Sequence, residues 1–304
     1  MKITIVGFGE TGASISALLI NQNACDLLNI MDPGENIHGR LLDMSHAATA
    51  KSIEVTHNQN EQFKASEVIF YCAGIRNLKN TNRQTNMEVN KFMVSTIFSD
   101  IEFISKPIII VITNPVELIS TWINEYFNDQ FTVIGTGTYL DSVRFQYILA
   151  NHFCCKLDEV STMVLGEHGD SMTPILSKTT IKGINIVELK NAFEQEVLIK
   201  KLKTSANEIR KTEEATKHGV AQCAVVLMNG FTSSKTLNLV ASVKVPESIK
   251  SKIELKSSVF MSLPCTISKN QLEVSTTIQV DECELALLKN SAAVLDEAYF
   301  KLQD

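Results

Sequence analysis

The sequence predicts an α/β protein: a doubly wound parallel sheet over residues 1–137, then a C-terminal mixed α+β domain over residues 138–304. Three observations carry this expectation. Short, continuous apolar runs alternate with stretches of helical apolar spacing through the first half. A glycine-rich turn joins the first run to the first helix. In the second half, long helical stretches give way to closely spaced β-rich runs.

In chain order, Lys2–Val6, Leu27–Met31, Val68–Cys72, Pro107–Ile112 and Thr132–Ile134 read as strands. Continuous apolar runs suit strands covered on both faces, as in a parallel sheet. Thr11–Asn21, Asn36–Ala48, Asn86–Ile104 and Val116–Phe127 read as the intervening helices, and the polar stretch from Arg76 to Asn90 reads as a mobile loop. Tyr139–Phe153 is then a helix, Val160–Leu165 a strand, and Asn191 to about Asn229 a long charged helical region. Strands around Leu237–Val243, Ser257–Ile267 and Gln271–Thr277 are spaced like antiparallel partners. Asp281 caps a last helix to Leu302, with Glu282 and Glu284 in its first turn, where the helix dipole favours negative charge.

Composition narrows the function. No apolar run approaches the roughly 18 residues that span a bilayer, and Lys2 leads straight into an apolar strand, so the expectation is a cytosolic protein without a membrane partner. A net charge of -6 leaves no basic stripe for nucleic acid. It also means that an anionic substrate must be held by a few local cations. The seven cysteines lack metal-ligand spacing, and their odd number suits reduced thiols. No metal site is expected.

Gly7-Phe8-Gly9-Glu10-Thr11-Gly12 is a G-x-G-x-x-G between the first strand and the first helix. Gly7 permits the tight turn, Gly9 lets a pyrophosphate approach the backbone, and Gly12 lets the helix lie close on the sheet. The pyrophosphate would meet the helix N-terminus, where N–H groups and dipole favour an anion. Asp32 ends the second strand, placed to bond the adenosine ribose hydroxyls and to repel a 2′-phosphate. This is the Rossmann pattern, and NAD is the expected cofactor.

Three further segments carry chemistry: Thr113-Asn114-Pro115, Gly135-Thr136-Gly137-Thr138-Tyr139-Leu140-Asp141-Ser142-Val143-Arg144, and Gly166-Glu167-His168-Gly169-Asp170-Ser171. Reducing a ketone by hydride needs a proton donor, and histidine titrates near operating pH. His168, bracketed by glycines at a strand exit, is the histidine with such a setting. Arg144 follows Asp141 by three residues on one helix, so both can share a face. A guanidinium there can grip a carboxylate with two parallel bonds.

With Ala73-Gly74-Ile75-Arg76-Asn77 and Arg83, these segments resemble the L-lactate/L-malate dehydrogenase family in matching order along the chain. The resemblance implies His168 as proton donor, Asp141 as the carboxylate that orients it, and Arg144 as the substrate-carboxylate clamp. It implies that Arg83 closes over the substrate on a loop and polarises the carbonyl. Asn114 would lie near the carbonyl and nicotinamide ribose, Thr216 in the substrate pocket and Val220 against the nicotinamide. Around Thr216 the chain departs from the family's usual Lys-Gly-Tyr-Thr-Ser. The helix bearing Leu41, Leu42 and Met44 would mediate a homodimer or homotetramer.

Substrate choice is where the chain departs most. Six residues before Arg83, the family carries glutamine in lactate enzymes and arginine in malate enzymes; here it is Asn77. A neutral, shorter amide implies pyruvate or a related small 2-oxo acid. The alternatives are a malate dehydrogenase, using Arg76 or Lys79, or an L-2-hydroxyisocaproate-type enzyme of broader range. Activation by fructose 1,6-bisphosphate, common among bacterial lactate dehydrogenases, needs cations where this chain has Gln146 and Ser161. NAD-dependent glycosidases share the nucleotide fold but need a metal-binding Cys/His pair, which the sequence lacks. A non-catalytic NAD-binding regulator would be expected to have lost the histidine–aspartate–arginine set.

Overall fold

The computed structural model describes residues 1–75, 83–99, 101–213 and 215–302. The first elements are β1 (Lys2–Val6), α1 (Glu10–Asn21), β2 (Leu27–Met31), α2 (His38–Thr49), β3 (Glu54–His57), α3 (Asn60–Lys64), β4 (Val68–Tyr71) and α4 (Arg83–Phe98). There follow β5 (Ile108–Val111), α5 (Val116–Tyr126), β6 (Thr132–Gly135), α6 (Tyr139–His152), β7 (Val160–Ser161), β8 (Val164–Leu165), β9 (Thr173–Pro174), β10 (Thr180–Ile181) and β11 (Ile184–Asn185). The rest comprises α7 (Ile186–Leu189), α8 (Ala192–Arg210), α9 (His218–Thr232), β12 (Leu237–Lys244), α10 (Glu247–Ile253), β13 (Phe260–Ser268), β14 (Gln271–Val274) and α11 (Glu282–Phe300). Two compact units emerge: residues 1–136 with 217–234, and residues 137–216 with 235 onward.

In the first unit the strands run β3-β2-β1-β4-β5-β6, all parallel. The order reverses at β1, and the crevice beyond its carboxyl end is where open α/β sheets bind ligands. Ile3, Ile5, Leu28, Ile30, Ile69 and Ile110 are fully buried, each such side chain contributing about 1.5–3 kcal/mol. α1 buries Ile15 and Leu19. α9, distant in sequence, packs against α1 and buries Ala221, Ala224 and Val225. The edge strand β3 escapes the sequence pattern because Glu54, Thr56 and His57 give it no apolar run.

Helix α4 corrects the expected loop, which cannot extend past residue 82: the chain is helical from Arg83 and ends its helix at Phe98, short of Ile104. The period is hidden because Asn86 and Asn90 are buried alongside Met87 and Val94. Asn90 Oδ1 accepts from the Ile75 N–H at 3.2 Å, so a polar residue occupies an inward position.

In the second unit β12, β13 and β14 form an antiparallel meander, with Leu237 opposite Ile267 and Lys244 opposite Phe260. The expected strand over 160–165 is two: β7 pairs with β10, while β8 pairs with β9. The chain changes sheets between them at Thr162, whose hydroxyl meets that of Thr179 at 2.9 Å. The expected helix over 191–229 is also two, since the described residues between 211 and 217 bury no side chain to sustain one. Phe145 and Leu149 of α6 pack with Leu198 and Leu202 of α8. α11 begins as the sequence predicts, Asp281 Oδ1 accepting from the Glu284 N–H at 2.8 Å.

Candidate active site

The first unit builds the nucleotide-facing side. Gly7 sits at φ 91°, where a β-carbon would come within 2.5 Å of the Ala73 nitrogen. A β-carbon on Gly12 would strike the Gly7 carbonyl, so the helix approach that the sequence predicts is real. A β-carbon on Gly9 would meet nothing within 4 Å, leaving open space above the backbone there. The α1 N-terminus has no side-chain cap. A bare helix end beside that space fits a dinucleotide pyrophosphate.

Asp32 leaves β2 as expected. Its Oδ2 accepts from the Phe8 N–H at 2.6 Å and its Oδ1 from the Gly34 N–H at 2.8 Å, binding the strand end to the glycine turn. Asn114 is exposed in the same unit, joined to Pro115 by a cis peptide. Val220 lies half-buried in the first turn of α9. Arg76, Asn77 and Lys79 lie outside the described residues. Arg83 opens α4, its side chain outside the described part.

The second unit brings together three of the residues expected to do chemistry, Asp141, Arg144 and His168. Tyr139 starts α6, which places Asp141 in the first turn and Arg144 three residues on. The Asp141 carboxylate is 1% exposed; Oδ2 lies 2.6 Å from His168 Nδ1 and Oδ1 accepts from Arg144 Nη1 at 3.0 Å. Burial alone would push the Asp141 carboxyl up, but the charges and hydrogen bonds of His168 and Arg144 together hold it below its ordinary value. The buried carboxylate is therefore ionised and fixes both partners. Thr216, the other residue expected here, lies half-buried in the break after α8.

The loop carrying His168 is pinned from behind by residues the sequence did not single out. Gly166 pairs with Ser262 through two 3.0 Å backbone bonds. Ser291, fully buried on α11, accepts from the Glu167 N–H at 2.7 Å, and its hydroxyl lies 3.2 Å from that of Ser171. A β-carbon on Gly166 would come within 2.6 Å of the Ser291 oxygen. Glu167 in turn accepts from the Ser171 hydroxyl. Lys203 of α8 donates to the Asp170 carbonyl at 2.7 Å. A cleft of about 530 Å³ opens beside Arg144, between residues of α6 such as Tyr147 and Ile148 and residues of α8 such as Lys201, Thr204 and Glu208. Among the described residues no cluster could hold a metal ion.

Comparison with known proteins agrees with this fold. Residues 1–134 match the profile of the lactate/malate dehydrogenase NAD-binding domain, and residues 138–303 that of the lactate/malate dehydrogenase alpha/beta C-terminal domain. An L-lactate dehydrogenase of Bacillus velezensis is 27% identical, covering 97% of this chain and 95% of its own. A malate dehydrogenase of Pelodictyon phaeoclathratiforme is also 27% identical, covering 98% and 97%. Among solved structures, the minor L-lactate dehydrogenase of Enterococcus mundtii is similar at TM-score 0.87 and 22% identity, covering 99% and 98% of the two chains. The malate dehydrogenase of Plasmodium falciparum is similar at 0.86 and 21%, covering 100% and 99%. With both profiles matched in order, the chain belongs to the lactate/malate dehydrogenase family, NAD-dependent oxidoreductases.

Proposed function

We propose that this chain is of the L-lactate dehydrogenase type, reducing pyruvate or a related small 2-oxo acid to its L-2-hydroxy acid. The observation that carries the substrate choice is Asn77, a neutral amide where a malate enzyme needs a cation. Oxaloacetate would otherwise bring a second carboxylate into the pocket unpaired, at a cost of several kcal/mol. Asparagine is also one methylene shorter than glutamine, which supports tolerance of some longer or branched 2-oxo acids.

NADH, when bound, supplies the hydride. With Nδ1 held by Asp141, His168 carries the transferable proton on Nε2 and gives it to the ketone oxygen as negative charge develops there. Asp141 stabilises the imidazolium, as an orienting carboxylate does in hydrolase triads. Arg144 binds the substrate carboxylate, its bond to Asp141 setting the plane of the guanidinium. The reading also gives Arg83 the polarisation of the carbonyl, Asn114 and Thr216 substrate contacts, and Gly7, Gly9, Gly12, Asp32 and Val220 contacts to the cofactor.

The division into a dinucleotide-binding domain, 1–137, and a substrate domain, 138–304, belongs to this reading. So do a cytoplasmic location and assembly as a homodimer or homotetramer. α2 supports the last, because Ala48 is its one buried residue while Leu42 is 50% exposed.

The test is the ratio of kcat/KM for pyruvate and oxaloacetate, measured by NADH consumption. Pyruvate is expected to win, and Asn77→Arg to move preference toward oxaloacetate. A wild-type ratio favouring oxaloacetate overturns the lactate-type reading in favour of the malate enzyme.

A further inference from the structure

Helix α1 begins with a carboxylate where a dinucleotide calls for positive charge. Glu10 is its first residue, at the end where dipole and N–H groups favour an anion. Left uncompensated, Glu10 would repel a pyrophosphate at that helix end. It is instead held between two cations: Oε1 lies 2.5 Å from Arg40 Nη2 and Oε2 3.3 Å from Lys217 Nζ. Arg40 reaches over from α2 and also donates Nη1 to the Phe8 carbonyl at 2.9 Å, inside the glycine turn. The side chains of Glu10, Arg40 and Lys217 are 29%, 39% and 27% exposed, so solvent screens them only in part.

We propose that Glu10, Arg40 and Lys217 form a charge shield that sets how tightly the glycine turn holds the cofactor's pyrophosphate. The carboxylate opposes the anion, the two cations cancel the carboxylate, and the set keeps a net positive charge in an acidic protein. Arg40 acts through Glu10 and is a positioning residue. The inference rests on NAD as cofactor and on its pyrophosphate meeting α1, where this fold places it.

The signs make the shield testable without turnover. NADH is titrated against wild type, Arg40→Gln, Glu10→Gln and the double variant, following nicotinamide fluorescence. Arg40→Gln should raise the Kd about two- to tenfold at low salt, and Glu10→Gln should lower it by a similar factor. The double variant should return near wild type, because Lys217 then supplies the same net charge. The differences should shrink between about 20 mM and about 500 mM salt, where the screening length falls from roughly 20 Å to roughly 4 Å. Adenosine, which carries no phosphate, should bind all four proteins alike. A double variant as weak as Arg40→Gln overturns the proposal, because Arg40 would then act through the Phe8 carbonyl. Weaker NADH binding by Glu10→Gln overturns it too. Loss of NADH binding in wild type itself would strike at the cofactor and take the shield with it.

Discussion

One carboxylate oxygen of Asp141 lies 2.6 Å from His168 Nδ1, and the other oxygen receives Arg144. A single buried charge thus sets the tautomer of the histidine and the aim of the arginine. His168→Ala should therefore cut turnover by at least ~10²-fold, the lower range for general acid–base catalysis. NADH affinity should hold. Stopped-flow turnover beside an NADH titration checks it, and near-normal turnover in a folded variant would remove histidine from the mechanism.

The same carboxylate makes stability depend on pH. Its value is lowered in the folded chain, so its contribution is present above the ordinary aspartate value of about 3.9 and is lost as pH falls through the folded value. Wild type should be more stable than Asp141→Asn at neutral pH. The gap should narrow below about pH 4, where the acid form resembles the amide. Urea midpoints measured from pH 7 down to the acid limit report the gap, and a constant difference would contradict the linkage.

Thiol reactivity should divide by burial. Cys154 and Cys283 are exposed, whereas burial pushes the Cys25 thiol to about 11, Cys265 to about 12 and Cys72 higher still. The thiolate is the reactive form. A disulfide reagent near pH 8 should modify Cys154 and Cys283 in a fast phase, with Cys25, Cys72 and Cys265 reacting only on unfolding. Peptide mapping after a short exposure identifies them.

Ser291 is the residue whose loss should betray the loop behind His168. Ser291→Ala removes the acceptor of the Glu167 N–H and strands a buried donor, at a cost of about 1–3 kcal/mol. A lower melting temperature with a reduced kcat is expected. An unchanged melting temperature would mean that the loop does not depend on this bond.

Fructose 1,6-bisphosphate should not activate the enzyme. Gln146 donates its amide to the carbonyls of Leu157 at 2.9 Å and Val160 at 3.1 Å, and Ser161 brings no charge. Bisphosphates need cationic partners. A large fall in pyruvate half-saturation on adding the sugar bisphosphate would refute this.

Most of the first unit's sheet was legible because its strands other than β3 are largely apolar and its glycine turn is local in sequence. The boundaries of β1 and β2 agree to the residue. The histidine–aspartate–arginine set was legible because two of its members share one helical turn. What escaped depends on distant pairs. β3 carries no apolar signal and is an edge strand of the first unit's parallel run. α4 hides its period behind buried asparagines. Ser291 stands 124 positions from the Glu167 N–H it accepts. Lys203 stands 33 positions from the Asp170 carbonyl to which it donates. No local pattern encodes such contacts, because packing alone decides which polar groups meet.

The return of residues 217–234 to the first unit bears on modularity. The chain leaves that unit after Thr136 and comes back at Lys217 to lay α9 against α1. A fragment stopped at residue 136 would uncover the apolar face that α9 protects, and would aggregate rather than serve as a portable nucleotide module. A transplantable version would need residues 217–234 grafted back onto residues 1–136. Exchange between relatives by recombination faces the same restriction: one crossover near residue 137 swaps a helix's partner along with the domain.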